Sequence, residues 1–351
     1  MRIPCRSLEW LICLGLGLWA GSFLSSENER ALNSSSISRR PEGDRGSSLL
    51  SRTSATPKAS GSALLKDLYA EAMPERSLVD AFLEAHRRNA HALMAAGLAC
   101  RDDDLLREAV RLSPDDPQLQ LIAIGKRLFP EDQGLWIRRF KESQPDNALS
   151  SQLLAAQLFD EGDADGALAE LRLSLSREDY NDFAAESILA REEVWSYAGA
   201  SPVESAMRST MDGALYRPLS IGLQKFTEDL LETKPSKDAV GLALAVAQRI
   251  TKAGAHGFPI DKMVGLQAES VILNGLDPDQ PSPYGELSVV EARGQVESDL
   301  KEFVRKLLAS EAPLASMSLD DPRLAQYLDR TKLLGFEKAQ AWLTAQLDSD
   351  P

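Results

Sequence analysis

The sequence contains few of the residue types from which disulfides, metal centres and nucleophilic sites are usually built. Its 351 residues include three cysteines and three histidines, and only 6% of the residues are aromatic. Cys5 and Cys13 lie in an apolar N-terminal segment, so Cys100 is the one thiol in the rest of the chain. A single thiol cannot form an internal disulfide, and we expect packing alone to stabilise the fold.

The three histidines have no spacing that suits a metal ion or a nucleophile. His86 and His91 are five residues apart and would lie on different sides of a helix, whereas a zinc-binding helix places its histidines four apart. His256 follows a glycine-containing loop, and the nucleophile elbow Gly-x-Ser-x-Gly is absent. The residues therefore predict no metal site and no cofactor.

Long apolar runs and strand patterns are also missing after the N-terminus. Residues 239–247 are apolar on all sides, but nine residues are too few to span a bilayer, which takes about 20. No segment alternates apolar and polar residues between hairpin turns, as half-buried strands do. Hydrophobic residues make up 43% and recur at helical spacing, so the sequence predicts an all-α fold.

The charge of the chain is negative and unevenly distributed. The net charge is −14, and residues 63–351 alone carry 31 basic and 48 acidic residues. A body with this charge repels the phosphate backbone, so we expect no nucleic-acid partner.

The N-terminus has the pattern of an export signal. Arg2 and Arg6 precede an uncharged apolar run that extends from Trp10 to Leu24. A basic start, a short apolar stretch and small residues after it are the parts of a secretory signal peptide. Residues 1–24 are therefore predicted to be a signal peptide or, if uncleaved, a signal anchor that is the only membrane contact. Both alternatives place the later residues outside the cytoplasm, either secreted, periplasmic or anchored.

Composition divides the remainder into a linker and two helical regions. Residues 25–62 hold twelve serines in thirty-eight positions, and such a segment is predicted to be a disordered linker. Prolines that follow polar residues indicate a domain boundary at 199–202 or at 232–236. We therefore predict a helical array over 63–200 and a C-terminal α-helical domain over 201–351.

Two predictions concern the start of the array. Ser77 is expected to cap a single helix that continues past Ala90. The inner face of this helix would carry Val79, Phe82, Leu83, His86, Ala90, Leu93 and Met94. The aspartates at 102–104 are expected at the N-terminus of the next helix, where the helix dipole favours negative charge.

A helix–turn–helix unit recurs in the middle of the chain. Two proline-aspartate segments, 114–117 and 145–148, lie thirty-one residues apart, and each precedes an Ala- and Leu-rich amphipathic stretch. A unit that recurs at this length indicates a repeat architecture. Residues 148–181 resemble one tetratricopeptide repeat, and units at about 83–114 and 115–147 match it more loosely.

The resemblance rests on a small set of positions in residues 148–181. The matching residues are Leu154, Ala155 and Leu158 in the first helix, Gly162 and Asp163 in the turn, and Ala167, Leu171 and Ser174 in the second helix. Ser151 and Asp179 depart from the family's Trp and Pro. The resemblance implies stacked helix pairs with a concave face that binds a protein or peptide. On this fold analogy the chain is a non-enzymatic interaction scaffold of the cell envelope.

The first alternative is an envelope enzyme that degrades cell-wall polymer. Lytic transglycosylases are exported helical solenoids with a catalytic Glu before Ser, and this chain has Glu-Ser pairs at Glu186, Glu204 and Glu269. A general acid of this kind needs a raised pKa in a pocket. The family's aromatic residues after the pair and its Gly-Leu-Met-Gln segment are missing, so no catalytic residue is assigned. A purely structural spacer is the second alternative.

Two further motifs have simpler explanations. Residues 161–166 resemble half a calcium loop, but the twelfth position is Arg172, where a Glu is required. These residues are therefore predicted to form the turn of a helix pair. Ser298 and Lys301 have a Ser-x-x-Lys spacing without the partner motifs of penicillin-recognising enzymes, and we expect both on the solvent side of a helix.

Overall fold

The all-α prediction is confirmed for the part of the chain that the structure describes. A computed structural model describes residues 73–215, 226, 237–256, 259–278, 281–283, 287–317 and 321–348. The predicted export signal, the predicted linker and residues 63–72 of the predicted array lie outside these residues. Regular structure within them is helical, apart from one isolated antiparallel bridge between Pro281 and Ser288. The described residues of 74–313 and 317–348 belong to one compact unit.

Helix α1 spans Arg76–Ala85 and is followed by three helical hairpins. These are α2 and α3 (Ala90–Cys100 and Asp103–Leu112), α4 and α5 (Pro117–Lys126 and Gln133–Ser143), and α6 and α7 (Ala148–Asp160 and Ala164–Ser176). A 3-10 turn at Pro130–Asp132 precedes α5. The later helices are α8 (Ala184–Tyr197), α9 (Pro202–Leu215), α10 (Lys237–His256), α11 (Pro259–Asn274), α12 (Val289–Ser316), α13 (Pro322–Leu334) and α14 (Phe336–Asp348).

The hairpins stack in chain order, and polar side chains cap most of their helices. Helix α3 packs on α4, and α5 packs on α6. The side chains of Asp102, Asp116, Asn147 and Asp163 accept backbone N–H groups at the starts of α3, α4, α6 and α7. The expected position of the aspartates at 102–104 is therefore correct.

Asp102 shows what such a cap does to a carboxyl group. Burial raises its pKa, but the backbone N–H groups of Leu105 and Asp104 and the guanidinium of Arg76 outweigh this effect. The pKa of Asp102 consequently lies below its ordinary value. The folded chain thus favours the charged form that completes the helix start.

The prediction of a single helix past Ala90 is wrong. Helix α1 ends at Ala85, and Arg87 and Arg88 adopt left-handed backbone angles with φ of 55° and 46°. Asn89 then caps α2, and its side chain accepts from the backbone N–H of Ala92 at 2.8 Å. Ser77 caps no helix, because its hydroxyl donates to Glu75 instead, and His86 is exposed and not inward.

The first helix of each hairpin is enclosed by other helices. Among the eleven residues of α2 only His91 is exposed, and α4 has no exposed residue. Helix α6 exposes only Asp160, and residues 148–153 at its start are all buried. Gln152 has no accessible surface, and neither atom of its side-chain amide has a hydrogen-bond partner among the described residues.

Residues 179–193, which we call the return segment, pass the starts of these three helices in reverse order. The carbonyl groups of Asp179 and Asn181 accept from Ala148 N–H and the Asn147 side chain at the start of α6. Gln118 at the start of α4 donates to Ser187 at 3.1 Å. Beyond these contacts, α8 packs on α1 and α2. The return segment therefore ties the three hairpins together.

The later helices form a continuous series of packing contacts from the last hairpin, α6 and α7, to the first hairpin, α2 and α3. Helix α10 packs on α7 and α11, α14 packs on α10 and α13, and α13 packs on α9 and α8. At the junction of α7 and α10, Arg249 donates to the carbonyl groups of Ser174 and Glu178 at 3.1 and 3.0 Å. A cation at the carboxyl end of α7 is also favoured by the helix dipole. The predicted division of the chain at residue 200 stays a prediction, since these contacts cross that position.

One ion pair at the junction of α8 and α13 is largely shielded from solvent. Lys332 Nζ lies 2.6 Å from Glu192 on α8 and 2.7 Å from Asp329 on its own helix. The side chain of Lys332 is 3% exposed and that of Glu192 is 17% exposed. Removing one member of such a pair leaves the other charge without its partner in a poorly hydrated place.

We expect Lys332→Met to lower the free energy of unfolding by about 3–5 kcal/mol, the usual cost of breaking a buried ion pair. Urea denaturation at neutral pH measures the change. The matched control is Lys301→Met, whose exposed pair with Glu297 is worth at most about 1 kcal/mol. Equal effects of the two substitutions would show that the α8–α13 pair does not stabilise the junction.

We expect Gln152→Met to raise the free energy of unfolding by about 1–3 kcal/mol, because it removes two buried polar atoms that lack partners. The matched control is Gln120→Met, since the buried amide of Gln120 donates to Pro114 and accepts from Ser143. That control should lower the free energy of unfolding. A destabilising Gln152→Met would mean that the amide has a partner, such as an internal water molecule.

Candidate interaction surface

The three Glu-Ser pairs lie on different helices and in different surroundings. Glu186 on α8 is exposed, and Glu204 on α9 forms an ion pair with Arg208 at 2.7 Å. Glu269 on α11 is 6% exposed and accepts a hydrogen bond from Thr251 at 2.8 Å. A buried carboxylic acid favours its protonated form. Glu269 is the one buried glutamate of the three, so whether a polymer can reach it decides its role.

The close packing of α11 against α10 argues against a polymer at Glu269. Gly265 lies one helical turn before Glu269, on the side that faces α10. A Cβ atom on Gly265 would lie 2.4 Å from the backbone nitrogen of Thr251. Helices α10 and α11 are therefore in direct backbone contact beside this carboxyl group, and the gap between them holds no sugar ring.

The two histidines whose side chains the structure describes make contacts within the fold. His86 Nδ1 lies 2.8 Å from the carbonyl oxygen of Phe82, and its ring packs on the Phe82 ring. His91 Nε2 lies 3.1 Å from Glu193 and joins α2 to α8. The side chain of His256 lies outside the described residues. In the described part of the chain, no group of three or more His, Cys, Asp or Glu side chains is placed to hold a metal ion.

The two remaining motifs occupy the positions expected of them. Asp163 caps α7 with a hydrogen bond from Gly166 N–H at 2.9 Å, and Gly162 takes a left-handed φ of 87° in the turn. Arg172 forms an ion pair with Asp238 on α10. Ser298 and Lys301 are exposed on α12, where Lys301 pairs with Glu297.

One cluster of reactive residue types was not predicted from the sequence. Lys141 on α5 donates to the Ser151 hydroxyl on α6 and lies 3.2 Å from Glu170 on α7. Ser151 has no accessible surface, so no substrate reaches its hydroxyl. The cluster therefore joins three helices, and its members are too far apart in sequence to form a motif.

A second unpredicted feature joins the first two hairpins, with Trp136 buried and Arg111 exposed. The Phe129 and Trp136 rings stack with their centroids 5.4 Å apart. The Arg111 guanidinium lies over Phe129 at 5.8 Å, and that of Arg139 lies over Trp136 at 5.0 Å. We call these four residues the arginine ladder. It joins the end of α3 to α5 through the loop that connects α4 and α5.

The signal for the arginine ladder is weak in the sequence. Phe129 and Trp136 are seven residues apart, and Arg139 follows at helical spacing, but Arg111 comes from the preceding hairpin. Only the packing of α3 on α4 brings it onto the Phe129 ring. The pattern of residues along the chain does not reveal a contact that depends on the order in which the hairpins stack.

No family model, no curated protein and no solved structure matches the chain. Among the described helices, none combines the length and the apolar character that crossing a membrane requires.

Proposed function

We propose that the chain is a non-enzymatic interaction scaffold outside the cytoplasm, with a tetratricopeptide-like array that holds a protein partner. The observation that carries this proposal is the stacking of three consecutive helical hairpins, α2 to α7, in chain order. Such stacks present one long surface built from several short elements, which suits the binding of an extended partner. The export signal predicted at residues 1–24 supports the compartment.

Burial of the hairpin helices bears on where the partner binds. The first helices, which would line the concave face in a tetratricopeptide array, expose only His91 and Asp160. The second helices expose large apolar residues, with Leu112 on α3 58% exposed and Leu135 on α5 48% exposed. The partner face is therefore proposed on the second helices, in place of the concave face expected from the resemblance.

The enzyme alternative receives no specific support from the three Glu-Ser pairs. A general acid must reach its substrate, and it must hold its proton until the bond breaks. Glu186 is exposed, Glu204 is paired with an arginine, and Glu269 faces the close contact of α10 with α11. The scaffold proposal predicts that all three can be changed to Gln without loss of partner binding.

The proposal is tested by site-specific photo-crosslinking of the full-length protein in its own cell envelope. A photoreactive amino acid is placed at Leu112 or Leu135 and, as control, at Leu333 on α13, which is 70% exposed. We expect one or two adducts of defined mass from the first two positions and none of that mass from Leu333. The same adducts should persist in Glu186→Gln, Glu204→Gln and Glu269→Gln.

Two results would contradict the proposal. The first is the absence of any adduct specific to Leu112 or Leu135 at normal expression levels. The second is a cell-wall-degrading activity of the purified protein that one of the three Gln variants abolishes while its circular dichroism spectrum and melting temperature are unchanged. The second result would identify the enzyme alternative and the acid responsible.

A further inference from the structure

The arginine ladder places two guanidinium groups at the ends of a stack of rings. The guanidinium carbon of each arginine lies over a ring, a position that Arg commonly takes in cation–π contacts. A cation–π contact uses none of the five N–H donors of a guanidinium, so these donors can bind other atoms. Neither Arg111 nor Arg139 lies within ion-pair distance of a carboxylate among the described residues. The ladder therefore holds two sets of donors that no acidic side chain among the described residues occupies.

The neighbouring arginines differ from these two. Arg107 donates to Asp104 at 2.7 Å and to the carbonyl oxygen of Leu128 at 3.2 Å. Arg138 lies 3.7 Å from Glu161. Acidic residues do occur nearby, at Glu131 and Asp132 in the 3-10 turn, and both are exposed. The absence of a carboxylate on the ladder is thus not explained by a local shortage of acids.

Apolar surface adjoins the donors. Leu112 follows Arg111 at the end of α3, Leu135 precedes Trp136 on α5, and both side chains are about half exposed. Arg, Trp and exposed apolar residues are the types that contribute most to binding energy at protein interfaces. Stacking also restricts each guanidinium before a partner arrives, so less conformational entropy is lost on binding.

We propose that the arginine ladder is the docking site for an acidic peptide segment of the partner, whose carboxylates bind Arg111 and Arg139 while its apolar side chains contact Leu112 and Leu135. The site rests on the proposed function and specifies the chemistry of the partner. A planar guanidinium fork matches a carboxylate with two parallel hydrogen bonds. The charge complementarity is confined to this site, because the chain as a whole has a net charge of −14 and repels an acidic segment elsewhere.

The test uses the full-length protein in mild detergent and a fluorescein-labelled peptide of repeated Glu-Glu-Leu units. Fluorescence anisotropy gives the Kd, and a peptide of Gln-Gln-Leu units provides a neutral control of the same shape. We expect the Glu peptide to bind at least about 10-fold more tightly, as charge-assisted hydrogen bonds are added.

Variants of the ladder locate the binding. Arg111→Gln with Arg139→Gln should weaken the Glu peptide by about 10-fold or more. The control, Lys301→Gln with Arg305→Gln on α12, changes the net charge equally but removes exposed pairs elsewhere. We expect the control to change the Kd less than about twofold. Arg111→Lys with Arg139→Lys keeps the charge and loses the flat fork, and should give an intermediate Kd.

Several results would overturn the inference, even if the double Gln variant failed to fold. Equal binding of the Glu and Gln peptides to the unchanged protein would exclude carboxylate recognition. Equal weakening by the ladder and control variants would show a general charge effect. Binding of a labelled poly-dT oligonucleotide with the same arginine dependence would assign the surface to phosphate polyanions. If the crosslinked adducts at Leu112 or Leu135 still form although the protein binds no Glu peptide, the scaffold function stands and only the acidic segment is rejected.

Discussion

Helix α2 has an apolar surface on almost every side, and this surface must be covered by several neighbours at once. One hairpin partner, α3, covers only part of it, and α1 and α8 supply the remainder. Helix α8 lies more than eighty residues further along the chain than α2. Because Cys100 has no partner thiol in the described chain, this enclosure depends on packing and hydrogen bonds alone. The course of the return segment follows from the need to bring α8 there.

Enclosure of the first helices limits where function can lie. In an open helical array both sides of each hairpin are available to partners, but here the return segment and the later helices cover one of them. Two of the second helices, α3 and α5, carry the exposed leucines, and with Phe129 of the loop before α5 they form the arginine ladder. The surface proposed for a partner thus lies on α3 and α5, beside side chains that the return segment and the later helices leave exposed.

Local signals in the sequence predicted more of this structure than long-range ones did. The caps at Asp102, Asp116 and Asp163 and the turn at Gly162 depend on residues within one or two helical turns, and their positions were predictable. The break after Ala85 was missed because Arg87 and Arg88 take left-handed angles without a glycine or proline to mark them. The return segment and the arginine ladder were missed because both depend on contacts between hairpins. The hydrophobic periodicity of a single helix contains no information about such contacts.

The acidic charge of the chain affects how the ladder can recognise a partner. A net charge of −14 repels an acidic segment at long range, so electrostatic steering does not accelerate the encounter. Screening reduces this repulsion beyond about 8 Å at physiological salt, and the close contacts with Arg111 and Arg139 then decide the outcome. A flexible polyanion gains little from two fixed guanidinium groups, since most of its charges would face acidic surface. A short acidic segment with apolar residues at matching positions meets less repulsion and gains the contacts with the leucines as well. The same charge that makes the chain a poor binder of polyanions therefore makes the ladder selective.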